Sequence, residues 1–319
     1  MLKHSPPDRL ILVTGPPRGG TTVVGEMLGL APRTATLHEP MNADTGDRAI
    51  HHMFEVPGTD GLSEDDFGLL VERVLQRNMN LRSGSFAGEP LWRRMAKSVT
   101  GGRTVLSQRR ARLAGRIETL IWKDPFAVFA VDAITRHVPG CTTIFCYRPP
   151  LAMAASFKRM RWRADPRPII RRLRMAGVAA ELPEGQDLSN CAISAAILWR
   201  LVYGSLLERM ASFDGRADTF LLDIDDAIRA PVDAYGALFA QCRLDFTPRV
   251  QASISARYRT REGSDRPIRQ VAHDRSRDPA SVNSYWTEIL DADEVRIVRA
   301  LCEPLQCALA DRFPRKIGG

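Results

Sequence analysis

Short apolar runs alternate with longer amphipathic stretches along most of this chain. Leu10–Val13 is a run of four apolar residues, the length of a buried strand. It breaks at Gly15-Pro16-Pro17-Arg18-Gly19-Gly20 and resumes from Thr21 as a helix-compatible segment. Thr34–Pro40, Thr119–Trp122, Thr142–Tyr147 and Thr219–Asp223 read as further strands or strand-like runs. Helical spacing appears over Glu64–Asn80, Phe126–His137, Leu151–Trp162, Ala192–Phe213, Pro231–Cys242 and Asp291–Leu309. Strands alternating with helices predict an α/β fold, with a P-loop-like central parallel sheet flanked by helices. No linker or repeat divides the chain, so a single domain over 1–319 is expected. Helical and loop insertions fall at about 41–116 and 163–213, and the Arg- and Ser-rich stretch 253–280 reads as a basic flap.

Composition adds less than pattern. The 319 residues are 44% hydrophobic, which suits a globular protein with a sizeable core. The formal charge is +8 and the isoelectric point about 9.5, with Arg far outnumbering Lys. Arg suits bidentate capture of phosphate, sulfate or carboxylate, so an anionic ligand fits. Six Cys (141, 146, 191, 242, 302 and 307) make no C-x-x-C pair, which predicts free thiols in a reducing compartment. The six His show no metal-ligand spacing, so no metal is expected. The N-terminal residues carry no apolar signal core and no transmembrane segment is evident, which reads as a cytoplasmic protein.

Three constellations at strand ends carry the chemistry. Ligands of open α/β sheets bind beyond the carboxyl ends of strands. The first is the loop Pro17, Arg18, Gly19, Gly20, Thr21 and Thr22. A Gly-rich turn between a strand and a helix start is a phosphate cradle, because backbone N–H groups and the helix dipole face an anion. The spacing Gly15 to Gly20 is that of a P-loop, but Thr21 stands where the P-loop Lys belongs. The second is Arg148, directly after TTIFCY, with Ser156 two helical turns on. By itself an Arg after a strand is often only a solvated charge; beside a phosphate loop it is a candidate anion site. The third pairs Glu39 with Lys123, each at a strand end and each followed closely by Pro. A plain ion pair and a base–cation couple are both consistent with that pattern.

Together these motifs resemble the PAPS-dependent sulfotransferases, in the bacterial and carbohydrate-type branch; PAPS is 3′-phosphoadenosine 5′-phosphosulfate. The family's P-R-x-G-T-T loop corresponds to Pro17–Thr22, and its R-x-P-x-x-x-x-x-S motif to Arg148 through Pro150 to Ser156. His38-Glu39-Pro40, Lys123-Asp124-Pro125, Leu221–Ile228 and Ser284-Tyr285-Trp286 resemble further family segments. Two departures stand out: Gly19 replaces a common Ser, and Pro149-Pro150 replaces Asn or His before a single Pro.

The resemblance implies sulfuryl transfer from PAPS to a hydroxyl or amine of a carbohydrate, glycolipid or other small-molecule acceptor, releasing adenosine 3′,5′-bisphosphate without a metal. It places the 5′-phosphosulfate at Pro17–Thr22 and the 3′-phosphate at Arg148 and Ser156. Lys123 is then the cation for the transferred group and Glu39 the base, with His38 its competitor. Arg269, Arg275 and Arg277 are candidates for the adenosine side.

Two other classes compete. A P-loop kinase or triphosphatase would use Thr219–Asp223 as its magnesium-binding strand, but it lacks the loop Lys. A nucleic-acid-binding protein would explain the charge and the basic stretch Arg93–Arg116. It does not explain why the motifs follow strands, and the aromatics, 7% of the chain, are not interleaved with the Arg clusters.

Overall fold

A computed structural model of the chain describes residues 5–82, 102–212, 218–259 and 284–313. Five strands form one parallel sheet in the order β2-β3-β1-β4-β5. They are β1 (Arg9–Thr14), β2 (Thr34–His38), β3 (Thr119–Lys123), β4 (Thr142–Tyr147) and β5 (Thr219–Asp223). In β3 every residue is buried, and in β1 all but Arg9. Strands covered on both faces read as continuous apolar runs, which is why these two stood out in the sequence. β2 lies at an edge and alternates between buried and half-buried positions.

Helices α1 (Thr21–Leu28), α2 (Glu64–Leu75), α3 (Gly102–Leu113), α4 (Val131–His137), α5 (Pro150–Met160) and α6 (Pro166–Met175) come first in chain order. They are followed by α7 (Cys191–Ser212), α8 (Ile224–Arg229), α9 (Pro231–Gln241), α10 (Pro248–Tyr258), α11 (Trp286–Ile289) and α12 (Ala292–Arg312). The ends are set by local chemistry. Pro150 opens α5 at its first turn, where the missing N–H costs nothing. Asp291 and Glu294 close a reciprocal capping box at the start of α12.

The chain divides into two compact units. The first holds residues 1–17, 21–145 and 218–220; the second holds 18–20, 146–217 and 221–319. In the first, β1 pairs with β3 and with β4 through residues 142–145, and β2 pairs with β3 so that His38 lies opposite Lys123. In the second, α7 is the core helix, packed against α5 and α12. By length and hydropathy the span Cys191–Ala211 equals a membrane-crossing helix. Its Ala192, Ala195, Ala196, Leu198, Trp199, Val202 and Tyr203 are nonetheless buried inside the unit.

Several sequence expectations shift. The helix expected from Phe126 is a 3-10 turn (Ala127–Phe129) followed by α4. Residues 253–258 of the expected flap are helical, as the end of α10, and residues 260–283 lie outside the described residues. Inside the insertion expected at 163–213, the Pro- and Arg-rich stretch after Asp165 is helix α6, capped by the Asp165 side chain on the Arg167 amide. None of the six cysteines forms a disulfide.

Candidate active site

The first cluster lies in the first unit, at the carboxyl ends of β2 and β3. Lys123 ends β3 with its side chain only 2% exposed. A buried ammonium needs a counter-charge. Lys123 Nζ donates to Glu39 Oε1 at 2.6 Å. His38 Nε2 lies 3.4 Å from Lys123 Nζ and 3.8 Å from Glu39 Oε1. Asn42 Nδ2 donates to the other Glu39 oxygen at 2.8 Å. Burial pushes the Glu39 carboxyl up, but the Lys123 charge, the His38 ring and the two hydrogen bonds outweigh it and hold it at about 2. Glu39 is therefore a carboxylate, and a weak base for as long as Lys123 stays on it. The fold brings Glu39 and Lys123 together and places His38 within reach of both.

The backbone at Glu39 has φ of 52°, in the left-handed region. For a non-glycine residue this costs about 1–3 kcal/mol and recurs at functional sites. The Glu39 amide donates to Lys123 O at 2.7 Å, which anchors the start of this turn to the neighbouring strand.

Helix α1 touches the same lysine. A Cβ built on Gly25 would sit 2.8 Å from Lys123 Cγ and 3.0 Å from its Cβ. Those atoms are near the root of the side chain, so Lys123 cannot simply swing aside. Gly25→Ala is expected to cost about 1–3 kcal/mol of stability through overpacking. It should also lower kcat about tenfold by displacing the ammonium. Thermal melting and steady-state kinetics check both.

The second cluster lies in the second unit. Arg18, with φ of 71°, projects from the Gly-rich turn; its Nε donates to Ser156 Oγ at 2.9 Å and its carbonyl accepts from Arg148 Nη1 at 2.9 Å. Ser156 is fully buried in α5 and Arg148 is 4% exposed. The Trp199 indole donates to Arg148 O at 2.9 Å, fixing the residue to α7. Gly20 also belongs to this unit, with φ of +91° and Ile224 Cδ1 2.6 Å from where a Cβ would stand, so only glycine fits. Gly19 is buried. In the first unit, Pro17 is half-buried, Thr21 is the buried first residue of α1, and Thr22 follows half-buried.

Sequence reading assigned no role to Tyr285, quoted only within a family-like segment. Its ring faces two guanidiniums, with Arg148 Cζ and Arg159 Cζ each 5.9 Å from the centroid. Burial pushes its hydroxyl up, but the Arg148 charge, a Ser156 hydrogen bond and Arg159 outweigh that and hold it below its usual value. Three arginines, a serine and a tyrosine thus concentrate positive charge and donors around one helix, an arrangement suited to an anion with several oxygens. Arg269, Arg275 and Arg277 lie outside the described residues.

Asp223, the residue a kinase would use for magnesium, accepts from the Asp225 amide at 2.9 Å and caps α8. Among the described residues no group of three or more His, Cys, Asp or Glu is placed to hold a metal ion.

Comparison with known proteins adds the family. Among solved structures, the chain is similar to the sulfotransferase STF9 from Mycobacterium avium at 17% identity, covering 99% of this chain and 79% of that one, with a TM-score of 0.45. It is similar to the sulfotransferase domain of the curacin biosynthetic pathway at 14% identity, over 93% of this chain and 98% of that one, with a TM-score of 0.44. The sulfotransferase domain of the Synechococcus PCC 7002 olefin synthase is 16% identical, over 94% of this chain and 97% of that one, with a TM-score of 0.43. Comparison with curated protein sequences finds no match. The model of the sulfotransferase family matches residues 10–248, three quarters of the chain, a span within which the three strand-end constellations lie. The chain belongs to the sulfotransferase family.

Proposed function

We propose that the protein transfers a sulfuryl group from PAPS to a hydroxyl or amine of a carbohydrate or glycolipid acceptor, with Glu39 as the base. The observation that carries this reading is the hydrogen-bonded set Arg18–Ser156–Arg148, two guanidiniums and a hydroxyl gathered behind a Gly-rich turn. On this reading Arg18, the backbone N–H groups of the loop that follows Pro17 and the Thr21 and Thr22 hydroxyls hold the 5′-phosphosulfate. Arg148 and Ser156 hold the 3′-phosphate, which ordinary adenine nucleotides lack. The whole 319-residue chain serves one activity, and its free thiols suit a cytoplasmic setting.

Transfer breaks the bond from sulfur to the leaving phosphate oxygen and forms one from sulfur to the acceptor's hydroxyl oxygen or amine nitrogen. The acceptor proton goes to Glu39, and adenosine 3′,5′-bisphosphate leaves. Charge is spread over the moving group, so positioning and electrostatics dominate, as in phosphoryl transfer. Lys123 serves the sulfuryl oxygens. As its charge turns toward them, Glu39 loses the partner that holds its proton affinity down, and it becomes a better base when one is needed. His38 is the competitor for that role, and it stands close enough to both groups to be tested beside Glu39.

The test is incubation with PAPS and a panel of glycans, glycolipids and small hydroxylated compounds, read by mass spectrometry. A sulfuryl gain on a glycan or glycolipid is expected. A gain confined to small metabolites would move the acceptor class; no gain on any acceptor, with no PAPS consumed, would overturn the reading.

A further inference from the structure

We propose that Asp124 is a positioning residue for the reaction: its buried carboxylate clamps the Glu39–Pro40–Met41 turn in the shape that sets Glu39 against Lys123. This rests on the reading of Glu39 as base. Asp124 follows Lys123, and no part of the side chain is exposed. Its Oδ2 accepts from the Met41 amide at 2.6 Å and from the Trp122 indole at 3.3 Å, and its Oδ1 accepts from the Phe126 amide at 2.9 Å. Its own backbone is tied to β1: the amide donates to Val13 O at 2.9 Å and the carbonyl accepts from Thr14 Oγ1 at 2.8 Å.

The clamp acts on a strained place. Glu39 holds a positive φ, and such a conformation persists only where the surroundings over-determine it. Lys123 O fixes the Glu39 amide, and two residues later Asp124 fixes the Met41 amide. The turn is thus pinned on both sides of Glu39 by consecutive residues of β3 and its end. Asn42, the second hydrogen-bond donor to Glu39, lies just beyond the Asp124 anchor.

The clamp is sensitive to protonation. Both oxygens of Asp124 receive N–H donors, so a proton on either one displaces a donor. The charged groups acting on it are Glu39, from the segment after β2, and Lys123 beside it in the chain. β1 meets it through Val13 and Thr14, and the following turn through Phe126, none of which carries charge. Burial pushes the carboxyl up and the Glu39 charge adds to this, against the Met41 and Phe126 hydrogen bonds and Lys123, leaving it at about 7. Glu39 at about 2 stays ionised throughout this range. Activity is therefore expected to fall as pH drops through about 7, with Asp124 and not Glu39 as the titrating group.

The test pairs kinetics with infrared spectroscopy. Asp124→Asn should lower kcat about a hundredfold by loosening the base. Its affinity for adenosine 3′,5′-bisphosphate should be unchanged, and its kcat–pH profile should lose the acid limb. In wild type, a carboxylic C=O stretch should grow as pH falls through the limb and persist in Glu39→Gln, which exonerates Glu39; this part needs no stable Asp124 variant. An Asp124→Asn enzyme that keeps the wild-type limb, or a wild-type spectrum with no such band, overturns the clamp while leaving Glu39 as base. Full turnover by Glu39→Gln would instead remove the base reading itself.

Discussion

Glu39→Gln is expected to lower kcat about a thousandfold, the middle of the range a positioned general base contributes. Affinity for PAPS and for adenosine 3′,5′-bisphosphate should stay within about twofold, because the substitution touches the proton and not the anion. Stability should fall as well. Lys123 is almost fully buried and Glu39 is its counter-charge at 2.6 Å. Breaking a buried pair by removing one partner typically costs about 3–5 kcal/mol, because the remaining charge is left uncompensated. His38 Nε2, 3.4 Å from the ammonium, is placed to recover part of that loss. The pH dependence of stability follows the same pair. Glu39 is held at about 2 against an ordinary value of 4.5, so the stabilisation is present above 4.5 and lost as pH falls through about 2. The Gln variant should lack this portion of acid destabilisation. Turnover equal to wild type would pass the base role to His38, and His38→Asn would then carry the loss.

Arg148→Ala is expected to weaken adenosine 3′,5′-bisphosphate and PAPS by about a hundredfold, in line with removing charge-assisted hydrogen bonds from a phosphate. Adenosine 5′-phosphosulfate, which has no 3′-phosphate, should lose little. The contrast between ligands separates a lost phosphate contact from a damaged fold. That control matters because Arg148 also donates to Arg18 O and stacks near Tyr285. Arg148→Lys should recover only part of the affinity, since an ammonium cannot reproduce the planar fork. An equal loss for all ligands would mean that Arg148 holds the loop and not the phosphate. Isothermal calorimetry on all three ligands gives the answer directly.

Parts of this molecule were legible in its sequence for identifiable reasons. β1 and β3 are buried on both faces, so their composition alone marks them. The Gly-rich turn, Arg148 and Ser156 stand in a spacing that survives without any knowledge of packing, and Arg18 meets Ser156 in space as that spacing allows. The contact between Glu39 and Lys123 is different. It requires β2 and β3 to be neighbours with His38 opposite Lys123, and strand order is a long-range property that local pattern does not carry.

Helices α6 and α10 are not among the stretches picked out by apolar spacing, although each has a start signal. Asp165-Pro166 and Thr247-Pro248 each place a capping side chain before a proline in the first turn, the combination that opens α6 and α10. The role of Asp124 was not readable at all, because its partner Met41 lies 83 residues earlier and contributes only a backbone amide. Tyr285 likewise meets Arg148 only through the fold.

On the proposed function, Arg18, Arg148 and Ser156 serve a sulfuryl donor and not a nucleoside triphosphate. The most direct measurement follows nucleotide products by liquid chromatography, with PAPS plus acceptor in one reaction and ATP plus magnesium in a parallel one. Acceptor-dependent release of adenosine 3′,5′-bisphosphate, with ATP left intact, is the predicted result. Release of ADP from ATP, with PAPS left intact in the presence of every acceptor that is offered, would contradict it.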